Sequence, residues 1–259
     1  MVRPRPGPVK SPTSPVEGHA KPQPWQAHPK GITTHMEFIM RRHLLAIALA
    51  LTLPVLAHAA DGDIDKVNGT VRVDAGQHAG NVSTVNGAVR VSDNAVVQKA
   101  STVNGAVELG DHVQATAVDT VNGAVTVGSS SRVAGTVSTT NGGVRLGKSA
   151  EVVGKVGTVN GTINLDAAHV GGGLQTSNGD IVVGANSHVE GGILVDKPGG
   201  WFNWNSNNRL PHVVIGPHAV VQGTLEFRRE VVLQVSDSAQ IGPVKGATPV
   251  KFSGDAPTE

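Results

Sequence analysis

No cysteine and no tyrosine occur anywhere in this 259-residue chain. Without cysteine there is no disulfide framework and no thiolate, so packing and hydrogen bonding alone must hold the fold. Aromatic residues make up only 3% of the chain, and from Asp61 to Lys197 there is no Phe, Trp or Pro. Large aromatics usually dominate a globular core, so this core must be narrow and filled by Val, Ala, Leu and Ile. The same lack of proline leaves every backbone N–H free to join a hydrogen-bonded ladder.

An excess of charge of one sign is also missing. Lys and Arg number 21 against 20 Asp and Glu. Seven basic and two acidic residues precede residue 61, which leaves 14 basic and 18 acidic beyond it, a net −4. No basic stripe remains there to argue for nucleic acid. Long hydrophobic runs are scarce too. The most apolar stretch, Leu44 to Leu56, spans about 13 residues, too few to cross a bilayer comfortably. Arg41-Arg42-His43 precede it and Ala57-His58-Ala59 follow. A charged start, an apolar core and a small-x-small end read as a secretory signal peptide over 40–60, cut after Ala59 or Ala60. Met36 or Met40 then marks the start. Residues 1–39, with eight prolines between Pro4 and Pro29, read as a disordered Pro-rich extension from a mis-assigned start. The mature protein is expected to be exported, to the periplasm, cell surface or medium, without a transmembrane segment.

What the sequence does have is a tandem repeat. Asn-Gly begins at Asn68, Asn86, Asn104, Asn122, Asn141, Asn160 and Asn178, at spacings of 18, 18, 18, 19, 19 and 18. Within it runs a period of six: Val67, Val73, Ala79, Val85, Val91, Val97, Val103, Leu109, Ala115, Val121, Val127 and Val133. Hairpins would give no fixed six. Three six-residue sides make one coil, so the fold class expected is an all-β, single-stranded, triangular parallel β-helix over 61–247. Residues two before each hexad position, such as Val71, Ser83, Val89 and Ser101, are expected to point inward with it, and those between to point out. The seven asparagines should stack at about 4.8 Å as a structural ladder, with each following glycine supplying φ > 0 at the corner.

The repeat breaks at 196–210. Trp201, Phe202 and Trp204 lie there, three of five aromatics after residue 61. A loop excursion with these side chains is a candidate binding surface for glycan or a partner protein. The hexad resumes at Ile215, Val221, Phe227, Leu233 and Ala239. Residues 248–259 read as a C-terminal tail, within which Pro249 to Phe252 offer a cap.

The stretch Val213-Val-Ile-Gly-Pro-His-Ala-Val-Val-Gln-Gly-Thr-Leu225 resembles the bactofilins, a bacterial polymer-forming cytoskeletal family. Leu146 to Val156 and Val183 to Ile193 echo the same phrase of small residues. The resemblance implies a right-handed β-helix that assembles end to end without a nucleotide. The Asn-Gly corners, the aromatic loop and the secretion signal depart from that family. The Val-Asn-Gly repeats are similar to exported putative-adhesin solenoids. Ile215 to Val220 also resembles one unit of the hexapeptide-repeat acyltransferases, which implies a histidine as general base.

Little else suggests chemistry. No phosphate-binding glycine loop, His-Glu-x-x-His or calcium-binding glycine–aspartate repeat is present, so no catalytic residue, metal ligand or cofactor is expected. His78, His112, His169, His188, His212 and His218 form no acid–base pair by spacing. Asp74, Asp93, Asp111 and Asp166 read as turn residues rather than an acidic row. The expected function is a non-enzymatic structural or adhesion-type solenoid of the bacterial envelope, self-associating end to end or contacting envelope protein or glycan. The alternatives are a glycan-binding module using the aromatic loop, and acyl transfer.

Overall fold

The computed structural model describes residues 62–197 and 209–257. The leader, the Pro-rich extension and Trp201, Phe202 and Trp204 lie outside the described residues. Those described form an all-β parallel solenoid of about ten coils, with about 18 residues per coil and no helix. At the usual strand spacing of about 4.8 Å this makes a rod roughly 45 Å long. Because no described helix exists, none is long and apolar enough to cross a membrane.

One face is a parallel sheet of ten strands, from Val71–Val73 and Val89–Val91 at one end to Val232–Ser236 and Val250–Phe252 at the other. The other two faces join into one 16-stranded sheet. They join because His78–Asn86, Val96–Asn104 and Gln114–Asn122 are nine-residue strands that continue around a corner. Further along, the same path splits into short strands such as Arg132–Val133 and Val137–Ser138. Register follows the repeat: Val71 pairs with Val89, Val125 with Val144 and Val144 with Ile163. Across the interruption Ile181 pairs with Val213, so the coil closes as if the insertion were absent.

The core is a column of small aliphatics, but in the first coils its spacing is not an even six. Val107, Val113, Val118 and Val125 are buried and begin successive sides, at steps of six, five and seven. The expected hexad therefore fails on one face of these coils, whereas Val183, Val189 and Val195, and Ile215, Val221, Phe227 and Leu233, are buried at even steps of six as expected. Val85, Val103 and Val121 are only half-buried and Val67 is 60% exposed, whereas Thr84, Thr102 and Thr120 are buried. Ser83 and Ser101, expected inside, face outward, and Val82 and Ala100 take the inward places. The cause is the corner inside each long strand. Ala79 and Val82 are both buried, three apart rather than two or four, so alternation changes phase there.

The glycine after each asparagine also has a different reason from the one expected. Only Gly69 lies well inside the positive-φ region, at 100°. What the position requires is closeness. A Cβ on Gly105, Gly123, Gly142 or Gly161 would sit 1.9–2.0 Å from the carbonyl oxygen of the glycine one coil earlier. The left-handed conformation belongs to another corner, where Asn94, His112, Ser130, Ser149, Ala167, Asn186 and His218 have φ of 45–59°. Single residues of this kind cost about 1–2 kcal/mol. At Asn94, His112, Ser130 and Ser149 the backbone N–H donates to a carbonyl of the next coil at 2.9 Å, which offsets that cost.

The solenoid also continues past the expected boundary. Val250–Phe252 pairs with Gln234 to Ser236 as the tenth strand of its sheet, inside the stretch read as a tail. Its Val250 and Lys251 are exposed, so it lacks the buried alternation that marks a strand in sequence.

Gly142→Ala is expected to destabilise the fold by about 3 kcal/mol or more, since backbone rather than a flexible side chain must move. Gly62→Ala, with nothing within 4 Å of the added carbon, is expected to leave the thermal midpoint almost unchanged. Thermal melts of the two variants side by side check this.

Candidate functional site at the asparagine corner

The Asn-Gly corner is tied on both sides. Outside, each asparagine donates from Nδ2 to Oδ1 of the asparagine one coil earlier. The distances are 3.1 Å for Asn86 to Asn68, 2.9 Å for Asn104 to Asn86 and for Asn122 to Asn104, and 2.8 Å for Asn141, Asn160 and Asn178 in turn. Inside, the buried threonine two residues before five of the asparagines, Asn86 to Asn160, donates to the carbonyl of the preceding coil's glycine, whereas Thr176, before Asn178, accepts the Gly179 N–H at 3.1 Å. Thr102 reaches Gly87, Thr120 reaches Gly105, Thr139 reaches Gly123 and Thr158 reaches Gly142, each at 2.9 Å. The phrase Thr-x-Asn-Gly thus encodes one corner: a hydroxyl within, a glycine for close approach and an amide without. In the first coil Lys66 takes the threonine's place in register with Thr84, and its Nζ donates to the Thr70 carbonyl at 3.1 Å.

The upper end of the ladder is the root of the insertion. Thr176 pairs with Val195 and Val195 with Phe227, which places Lys197 and then Arg229 in the asparagine column. The described chain breaks there, after Lys197. Arg229 reaches back past that coil, donating from Nη1 to Asn178 Oδ1 at 2.7 Å and to the Ser177 carbonyl at 2.9 Å. Where the chain returns, Arg209 pairs with Asp180 at 2.7 Å and the His212 N–H donates to the same carboxylate at 2.9 Å. On the departing side Arg228 bridges Asp196 at 3.5 Å and Glu226 at 2.8 Å. The hydrogen bond and charge of Glu226, then the charge of Asp196, raise the Arg228 pKa above the ordinary arginine value. Both ends of the excursion are therefore pinned beside Asn178. Sequence reading missed Arg209, Arg228, Arg229 and Asp180. The available signal was Asp180 itself, a carboxylate where earlier coils carry Ala88, Ala106 and Ala124.

Other charged side chains pair between neighbouring coils. Arg90 meets Glu108 at 2.8 Å, Lys99 meets Asp119 at 3.0 Å, and Arg132 pairs with Glu151. The aspartates do not line up as one row. Asp93 and Asp111 share a column, while Asp74 and Asp166 fall in the adjacent one by register. Asp93 Oδ1 accepts the Asp111 N–H at 2.9 Å, and Asp111 Oδ1 accepts the Ser129 N–H at 2.6 Å, so these carboxylates staple turns. Of the histidines, His112 and His218 sit at the left-handed corner, and His169 and His188 stack on a face. Near the last coil, Pro217, His218, Ser236, Asp237, Ser238 and Asp255 line an open recess of about 300 Å³. Its polar groups engage one another: Ser238 Oγ accepts the His218 N–H at 3.1 Å, and Ser253 Oγ donates to Asp237 at 2.5 Å.

No family model, curated protein or solved structure matches this chain.

Asn122→Ala removes the amide bonds on both sides of one rung, and is expected to cost about 1–2 kcal/mol. Asn68→Ala removes one rung at the end and should cost less. Arg229→Ala is expected to cost about 1 kcal/mol and to speed amide exchange first around Ser177 to Asp180. Hydrogen exchange by mass spectrometry on the three variants tests the order.

Proposed function

We propose that this chain is a non-enzymatic, exported rod of the bacterial envelope that acts as a structural or adhesion element and self-associates end to end. The observation that supports this best is how the polar side chains are used. The asparagines, threonines, turn aspartates and most ion pairs bind the neighbouring coil of the same rod, which is what a scaffold needs. The resemblances to bactofilins and to exported putative-adhesin solenoids point the same way, and the leader read from sequence supplies the route out of the cytoplasm. Strands at a solenoid end offer unpaired backbone groups, a favourable template for a second copy. The mature chain, from Asp61 on, is expected to scatter light increasingly with concentration and to form filaments or large oligomers in electron micrographs. A monomer at every concentration would overturn end-to-end assembly.

A second reading treats the rod as a platform for the aromatic loop. It is favoured by the ion pairs that fix both roots of the insertion to Asp180 and Asp196. In that reading Trp201, Phe202 and Trp204 contact glycan or an envelope partner. The double variant Trp201→Ala, Trp204→Ala is then expected to lose binding on a glycan array while keeping the same melting profile.

A further inference from the structure

His169 and His188 are 19 residues apart, one coil length, and their Cα positions pair directly across adjacent strands. Their rings meet edge to face, with centroids 5.3 Å apart and planes at 69°. Glu190 lies two residues beyond His188 on the same outward side. Its Oε1 comes within 3.0 Å of His169 Nε2, reaching diagonally to the coil below. It has room to do so because the position beneath it is Gly171. No side chain fits there, since a Cβ would meet the Val153 carbonyl oxygen at 2.6 Å. The ligand atoms of His169, His188 and Glu190 all lie within 4.8 Å of one another. From the coil above, Gln222 brings its amide nitrogen to 3.1 Å from His188 Nε2.

We infer that His169, His188 and Glu190 bind a divalent transition-metal ion of the zinc, nickel and copper class. Two imidazole nitrogens and one carboxylate oxygen form a donor set suited to these ions, whereas calcium and magnesium take mainly oxygen ligands. A tetrahedral ion with bonds of about 2.0–2.1 Å needs ligand atoms roughly 3.3–3.4 Å apart. His169 and Glu190 are close to that separation at 3.0 Å, and the His188 ligand atom lies within 4.8 Å of both. The three side chains stand on strands whose spacing the backbone ladder fixes, so little ordering is lost on binding. Competition for Glu190 is limited, because the nearby Glu151 already pairs with Arg132 and the guanidinium there is engaged. His169 and Glu190 remain 39% and 54% exposed, which leaves an entry path and a coordination position for water. Bound metal would link two adjacent coils just below the insertion.

The probe is Zn²⁺, titrated calorimetrically into the chelator-treated full chain. Five further histidines precede residue 61, so the informative quantity is the difference between proteins. The wild type is expected to bind one more equivalent of Zn²⁺ than His169→Ala or His188→Ala, and Glu190→Gln should weaken that site at least tenfold. His212→Ala should bind like the wild type. Zn²⁺ should raise the melting temperature of the wild type more than that of His188→Ala, because an ion held only by the folded form stabilises it. Co²⁺ should give tetrahedral visible absorption that His188→Ala lacks. Circular dichroism confirms that each variant keeps its strands, and Glu190→Gln preserves side-chain shape throughout. A wild type that binds no Zn²⁺, or substitutions at His169 and His188 that leave stoichiometry and affinity unchanged, would overturn the site.

Discussion

Each coil must stack on the next at the strand spacing of about 4.8 Å, and everything else in this rod follows from that distance. A residue in a parallel solenoid sees, directly above and below, the residue at the same place in the repeat. The choice at each position is therefore a choice of what can tolerate or use a near-copy of itself. Glycine solves the tightest place, where successive backbones leave no space for a Cβ. Valine fills the narrow interior and suits the strand backbone. Asparagine carries a donor and an acceptor on one short side chain, so a stack of them satisfies itself. Like charges directly opposite repel; Arg72 does lie beneath Arg90 and Asp93 beneath Asp111, but the sign changes where Glu108 stands above Arg90 and Glu151 above Arg132.

That self-sufficiency explains where the chain departs from repetition. The insertion breaks the asparagine column, and the sequence there switches from amides to full charges: Asp180, Asp196, Arg209, Arg228 and Arg229. A periodic ladder needs only its neighbours, whereas an excursion needs specific anchors at its two roots. The histidine pair is another departure. Stacked imidazoles beside a carboxylate gain nothing from the repeat that other residues would not supply, and they coincide with a glycine that opens space for Glu190.

The fold class was legible because Asn-Gly and the small aliphatics repeat at one coil length. The details lost in the sequence were those in which polarity and position disagree. Thr84 and Thr102 are inside while Val85 and Val103 are half outside, because the corner shifts the alternation and the Gly carbonyls reward a buried hydroxyl. A reading by hydrophobicity alone selects the valines. The last strand was hidden for the opposite reason, since Val250–Phe252 forms by backbone pairing with little burial. The pairing of His169 with His188 was present in the 19-residue spacing. Glu190's diagonal approach was not, because it depends on an empty place one coil below. The anchors Arg209 and Arg229 act across 29 and 51 residues, separations that the insertion detaches from the repeat.

The asparagine ladder also has a direction. Every amide donates toward the first coil and accepts from the side of the last, so the side-chain dipoles add rather than cancel. Their positive ends face Asn68 and their negative ends face Asn178, as peptide dipoles add along a helix. Arg229 sets a cation against the negative end. The corner is therefore an electrically polar edge, neutralised at one extremity, and it distinguishes the two ends of a rod whose backbone repeats almost identically from coil to coil.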